Sequence, residues 1–112
     1  MTEHAKKLLT DILNAINLIE TFIADTPTFD LYVSDNKTKS AVERQLGIIG
    51  EAIAKFGVKF PEQSFQRSKE ITGFRNRLVH AYDNLDESIV WAIVKKHLPV
   101  LKKEAEEKIN QF

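Results

Sequence analysis

The strongest constraint on this chain is a three- and four-residue recurrence of apolar side chains that returns in four separate stretches. In the first, from about His4 to Ala24, it runs through Leu8, Leu9, Ile12, Ile16, Ile19 and Ile23. Side chains at those steps stack along one side of an α-helix, so the pattern reads as one buried stripe. Asp25-Thr26-Pro27 ends it, because the residue before a proline is pushed out of the α region. A polar connection follows with an apolar island of Phe29, Leu31, Tyr32 and Val33, predicted to form a single helical turn that plugs one end of a bundle. Ser34 or Asp35 is expected to cap the second helix, its side-chain oxygen accepting from an otherwise orphan amide. That helix carries Ala41, Val42, Ile48, Ile49, Ala52, Ile53 and Phe56. Gly57 is expected in the left-handed position just past its end, with Pro61 beyond. Gly47 and Gly50 lie inside it, each costing about 1 kcal/mol relative to alanine. Close approach by a neighbouring backbone is the expected compensation, and a break at Gly50 the alternative.

A third helix is expected from near Ser64, with Ile71, Phe74 and Leu78 on one face, leading into His80 and Asp83. After the polar turn Asp83-Asn84-Leu85-Asp86, the last helix begins at Asp86 or Glu87 and carries Ile89, Val90, Ile93, Val94, Leu98, Leu101 and Ala105. Pro99 lacks an amide and crowds the preceding turn, so it is predicted to kink or split this helix. Acids at its start, and Lys102, Lys103 and Lys108 toward its end, suit the helix dipole. No strand or repeat is read. The expectation is an all-α, up-down four-helix bundle with a kinked or split last helix, in one domain over residues 1–112.

Composition narrows the chemistry. Apolar residues make up 43% and charged residues 29%, the balance of a soluble globular protein. Lys plus Arg equal Asp plus Glu at 16 each. A nucleic-acid partner would therefore need a local basic site, and self-association meets little electrostatic resistance. With no cysteine there is no disulfide, thiolate zinc site or cysteine nucleophile. The N-terminus enters an amphipathic pattern with no cleavable apolar core, and no apolar run reaches bilayer-spanning length; a cytoplasmic protein without membrane contact is expected. Phosphate-loop, dinucleotide-binding and nucleophile-elbow signatures are missing. His4, His80 and His97 lack metal-ligand spacing, so neither metal nor cofactor is predicted.

The densest chemistry lies between Phe74 and Asp83, which holds Arg75, Asn76, Arg77, His80 and Tyr82. On a helix Asn76 and His80 share a face, whereas Arg75 and His80 diverge by about 140° unless the helix ends between them. Were it to end at His80, the C-terminal dipole would favour the imidazolium and raise the pKa from about 6.5 toward neutrality. Such a histidine can exchange a proton with a hydroxyl or leaving oxygen, while an arginine clamps a phosphodiester and its developing charge. Together they suffice for RNA cleavage by the substrate's own 2′-hydroxyl, a nucleophile DNA lacks. Acid–base work wants two proton-transfer groups, and a twofold dimer would supply the second. The plainer readings assign His97 to a partly buried packing position, His4 to solvent and Trp91 to a core or interface anchor. Asp83 and Asp86 read as turn and cap residues, and the pairs Lys95-Lys96 and Lys102-Lys103 as a solvated face.

Arg75 to Tyr82 resembles the Arg-x4-His-x-Tyr motif of the HepT group of HEPN-domain toxins, and Gly73-Phe74-Arg75-Asn76-Arg77-Leu78-Val79-His80 is close to the form common there. Thr38 through Ala41-Val42, Arg44-x-Leu46 and Ile48-Ile49-Gly50-Glu51-Ala52 resemble its second helix; Asp86, Val90-Trp91 and Leu98-Pro99-x-Leu101 resemble its last. Ala81 stands where many relatives have glycine. The resemblance implies a HEPN-like helical homodimer whose cleft carries two copies of the motif. It implies metal-independent endoribonuclease activity on RNA, with Arg75 and His80 catalytic and Asn76 assisting. It further implies a toxin–antitoxin pair, in which a nucleotidyltransferase of the MntA type transfers AMP to Tyr82. A phosphate-bearing adduct two residues from His80 would block the cleft and compete for Arg75. The chain itself carries no transferase signature. Two rival readings are a non-catalytic HEPN helper subunit that binds substrate or partner for the transferase, and a purely structural helical adaptor.

Overall fold

The computed structural model describes residues 3–73 and 86–111. Helix α1 spans Glu3–Ile23 and buries Leu8, Leu9, Ile12, Ile16 and Ile19, with Ala5 and Ala15 between them. A fully buried Leu or Ile contributes about 2 kcal/mol relative to an exposed one, so this stripe is the principal apolar ridge of the molecule. Ile23, the last residue of the expected stripe, is half-buried at its edge. Thr28 caps the short α2, Phe29–Val33, by accepting from the Leu31 amide. The island buries only Tyr32, which inserts into the core at 1% exposure, while Leu31 faces solvent.

Asp35, not Ser34, caps α3, which runs Asn36–Lys59; its carboxylate accepts from the Thr38 amide at 3.0 Å and the Thr38 hydroxyl at 2.8 Å. Those bonds hold the Asp35 carboxyl below its ordinary value, the backbone amide first and the hydroxyl second. Two expectations for this helix are corrected. It runs through Gly57 to Lys59, and no described glycine has positive φ, so Gly57 does not end it; closure falls at Phe60, whose amide donates to the Phe56 carbonyl. A Cβ at Gly47 would meet nothing within 4 Å, so no backbone approaches there. Gly50 is buried in unbroken helix. Ile48 lies outside the buried stripe at 36% exposure, because the core-facing arc runs through Val42, Leu46, Ile49, Ile53 and Phe56.

The third helix starts later than expected. Pro61–Gln63 form a 3-10 turn, Ser64 is extended and exposed, and helical structure resumes at residues 68–73, denoted α4. Phe65, between them, is 3% exposed and stacks edge-on to Phe56 with centroids 5.6 Å apart. The last helix is split as Pro99 predicts, into α5, Glu87–Ala92, a π-helical turn, Ile93–His97, and α6, Leu98–Asn110. The Leu98 amide reaches back five residues to the Ile93 carbonyl, immediately before the residue with no amide to give.

Helix α1 packs against α3 and α6. Lys102 Nζ, near the start of α6, meets Glu20 Oε1, near the end of α1, at 2.8 Å, so these two helices run antiparallel. Val90, Val94, Leu98, Leu101 and Ala105 complete the core from the split helix, while Ile89 is largely exposed. The described residues contain no strand; the fold is all-α.

Candidate functional site

Arg75, Asn76 and His80, expected to carry the chemistry, and Tyr82, expected to accept AMP, lie outside the described residues, as do Phe74, Leu78 and Asp83. What the structure gives is the packing of the residues that precede and follow this segment in sequence.

On the entry side, Phe65 is packed from two sides and its neighbour is tied to α6. Phe56 lies against its ring, Lys108 Nζ sits 5.2 Å above the ring centroid, and the amide of neighbouring Gln66 donates to Glu104 Oε2 at 3.1 Å. Phe60 joins the cluster 5.0 Å from Phe56. The first turn of α4 is then set by backbone bonds from the Ser68 amide to Phe65 and from the Ile71 amide to Arg67. Ile71 packs half-buried on the core, as its place in the pattern predicts.

On the exit side, Asp86 caps α5, accepting from the Ser88 amide at 2.9 Å and the Ser88 hydroxyl at 2.6 Å. One residue on, Glu87 pairs with Lys39 of α3 at 2.7 Å, the lysine side chain only 16% exposed. Glu43, one turn along α3, is held above the usual carboxylate range by burial; the Lys39 ammonium pulls it back, and Glu87 adds to the rise. Burial, then the charges of Glu43 and Glu87, push the Tyr32 phenol well above its ordinary value, so it stays a neutral hydroxyl. Trp91 packs on Tyr32 with centroids 5.1 Å apart and carries Lys95 Nζ 5.4 Å over its own ring, which places it as the anchor expected of it. Local spacing gives no sign of the Lys39–Glu87 pair, whose members stand 48 positions apart.

His97 is half-buried and His4 exposed, both as read from the sequence. A cavity of about 130 Å³ opens between α3, α4 and the π turn, with His97, Arg67 and Glu70 among its lining. No sequence signal joins those three residues. Among the described residues, no three His, Asp or Glu side chains converge as metal ligands would, and no described helix is long and apolar enough to cross a membrane.

An all-α bundle whose last helix is split at a proline, in a chain whose sequence carries Arg-x4-His-x-Tyr after α4 and before α5, defines a protein of the HEPN class. Comparison with known proteins places it more narrowly. The family model described as Ribonuclease HepT-like matches residues 12–107, and the chain belongs to that family. It is 37% identical over 105 residues to "Putative RNase MJ1380" of Methanocaldococcus jannaschii, covering 90% of this chain and 93% of that protein. Identity to "Probable ribonuclease HepT" of Thermococcus cleftensis is 38% over 106 residues, covering 91% of this chain and 93% of that protein. "Putative RNase MJ0125", also of Methanocaldococcus jannaschii, is 35% identical over 111 residues, with 96% and 92% covered. No solved structure is significantly similar to the chain.

Proposed function

We propose that this chain is a metal-independent endoribonuclease, the toxin of a toxin–antitoxin pair acting on cytoplasmic RNA. The observation that carries the reading is the match to the HepT-like family over residues 12–107 in a chain that itself keeps Arg75, His80 and Tyr82 at the family's spacing. Names of relatives that cover nine-tenths of the chain support ribonuclease activity in general.

In this reading the His80 imidazole takes the proton from the substrate 2′-hydroxyl, which attacks the adjacent phosphorus as the P–O5′ bond breaks. Arg75 neutralises charge gathering on the non-bridging oxygens, and Asn76 supplies a neutral hydrogen bond. The His80 of a second copy returns a proton to the departing 5′ oxygen. The products are a 2′,3′-cyclic phosphate and a 5′-hydroxyl, with no water consumed. The antitoxin is a nucleotidyltransferase of the MntA type that silences the enzyme by AMP transfer to Tyr82, setting a bulky, singly charged phosphodiester beside the proton-transfer residue.

His80→Ala and Arg75→Ala are each expected to abolish RNA cleavage and growth arrest while the helical circular-dichroism signal and melting temperature stay near wild type. Cleavage by the wild type should persist in EDTA, and the transferase should add AMP mass to it but not to Tyr82→Phe. A folded His80→Ala protein that still cuts RNA overturns the mechanism. A wild type that binds RNA and the transferase but never cuts makes the chain a helper subunit.

A further inference from the structure

We propose that the cavity between α3, α4 and the π turn is a subsite for a guanine base of the RNA; this rests on the ribonuclease reading above. Six aliphatic side chains line it, among them Leu46, Ile71, Ile93 and Leu101. Its volume of about 130 Å³ is near the ~150 Å³ of an apolar cavity known to take up a benzene ring. The pocket is therefore of the scale of an aromatic ring, and open enough on one side for a larger ring to project.

Three polar side chains share its wall: Arg67, Glu70 and His97. Arg67 and Glu70 stand one turn apart at the start of α4, yet no ion pair joins them, and among the described residues none of the three side chains has a partner. A donor fork and an acceptor pair thus face one apolar slot. Guanine presents the complement, with O6 and N7 accepting from a guanidinium and N1–H and the N2 amino group donating to a carboxylate. Bases of single-stranded RNA are read in this way, splayed out and hydrogen-bonded along their edges. Adenine, cytosine and uracil each lack part of that set. His97 comes from a π turn, a departure from regular helix that is frequent at functional sites.

The pocket does not end blindly. Arg67, Ile71, His97 and Leu101 also line a second depression with Gln66 and Glu104, and a shallower one beyond it reaches Lys103. Glu104 is already engaged by the Gln66 amide and Lys108, whereas Lys103 is exposed. A ribose-phosphate leaving the pocket along this groove would meet Lys103, with Glu107 as the opposing charge.

The test is calorimetric titration of the full chain with GMP, AMP, CMP and UMP. Saturable binding is expected for GMP, at least several-fold tighter than for the others, and Arg67→Ala and Glu70→Gln should each weaken it about tenfold. Both positions are exposed, so folding is not at stake. No saturable GMP binding, equal binding of all four nucleotides, or wild-type affinity in both variants would overturn the proposal. His80→Ala should bind GMP like the wild type while cutting no RNA. A wild type that binds GMP but cleaves nothing keeps the pocket and removes the ribonuclease reading; one that cleaves RNA but ignores GMP does the opposite.

Discussion

Thr26 is buried at 3% exposure, and among the described residues its hydroxyl oxygen has no hydrogen-bond partner. Its amide donates to the Ile23 carbonyl at 3.0 Å, and the unmet donor and acceptor capacity is that of the side-chain hydroxyl. An unpartnered buried hydroxyl costs about 1–3 kcal/mol, and valine has nearly the same shape. Thr26→Val is therefore expected to raise unfolding stability by about 1 kcal/mol in urea titration. A loss of stability would mean the hydroxyl has a partner after all. Phe65 makes the complementary point. It stands outside the four helical stripes, and its burial follows from Phe56 of α3 and Lys108 of α6 packing on its ring, with Glu104 of α6 holding the neighbouring Gln66 amide.

Between elements, the sequence was most legible where one residue type has one physical consequence. Aspartate at position 35 caps, Pro99 splits, and the α1 stripe is buried almost as written, because these effects are local. Gly57 misleads because glycine permits a left-handed turn without requiring one, and α3 gains more by burying Phe56 and closing at Phe60. The motif was legible as a motif, but the frame around it was not, since Lys39 and Glu87 belong to different helices. That pair carries a prediction of its own. Lys39 is mostly covered and Glu87 partly exposed, so solvent screening keeps the interaction modest, about 1 kcal/mol. Lys39→Ala and Glu87→Gln should each lower stability, and the double variant should lose clearly less than the two losses added. Strict additivity would show that the contact does not fasten α5 to α3.

For the molecule as a whole, zero net charge and one histidine in the motif bear on how many chains make one active site. Transfer of a proton off the 2′-hydroxyl and onto the leaving oxygen uses two groups, and a single chain offers His80 once. If two copies face one another across a cleft, a protomer carrying His80→Ala disables the partner it joins, because the shared site is left with one imidazole. Independent monomers carry no such penalty. Mixing wild type with an increasing excess of His80→Ala, after subunit exchange and at fixed wild-type concentration, is thus expected to drive cleavage steeply toward zero. Arg75→Ala should do the same, since the doubled guanidinium offsets phosphate charge that a neutral surface does not attract. Cleavage that stays level as inactive chain is added would confine the chemistry to one protomer, and the second proton-transfer group would then have to be sought within the same chain.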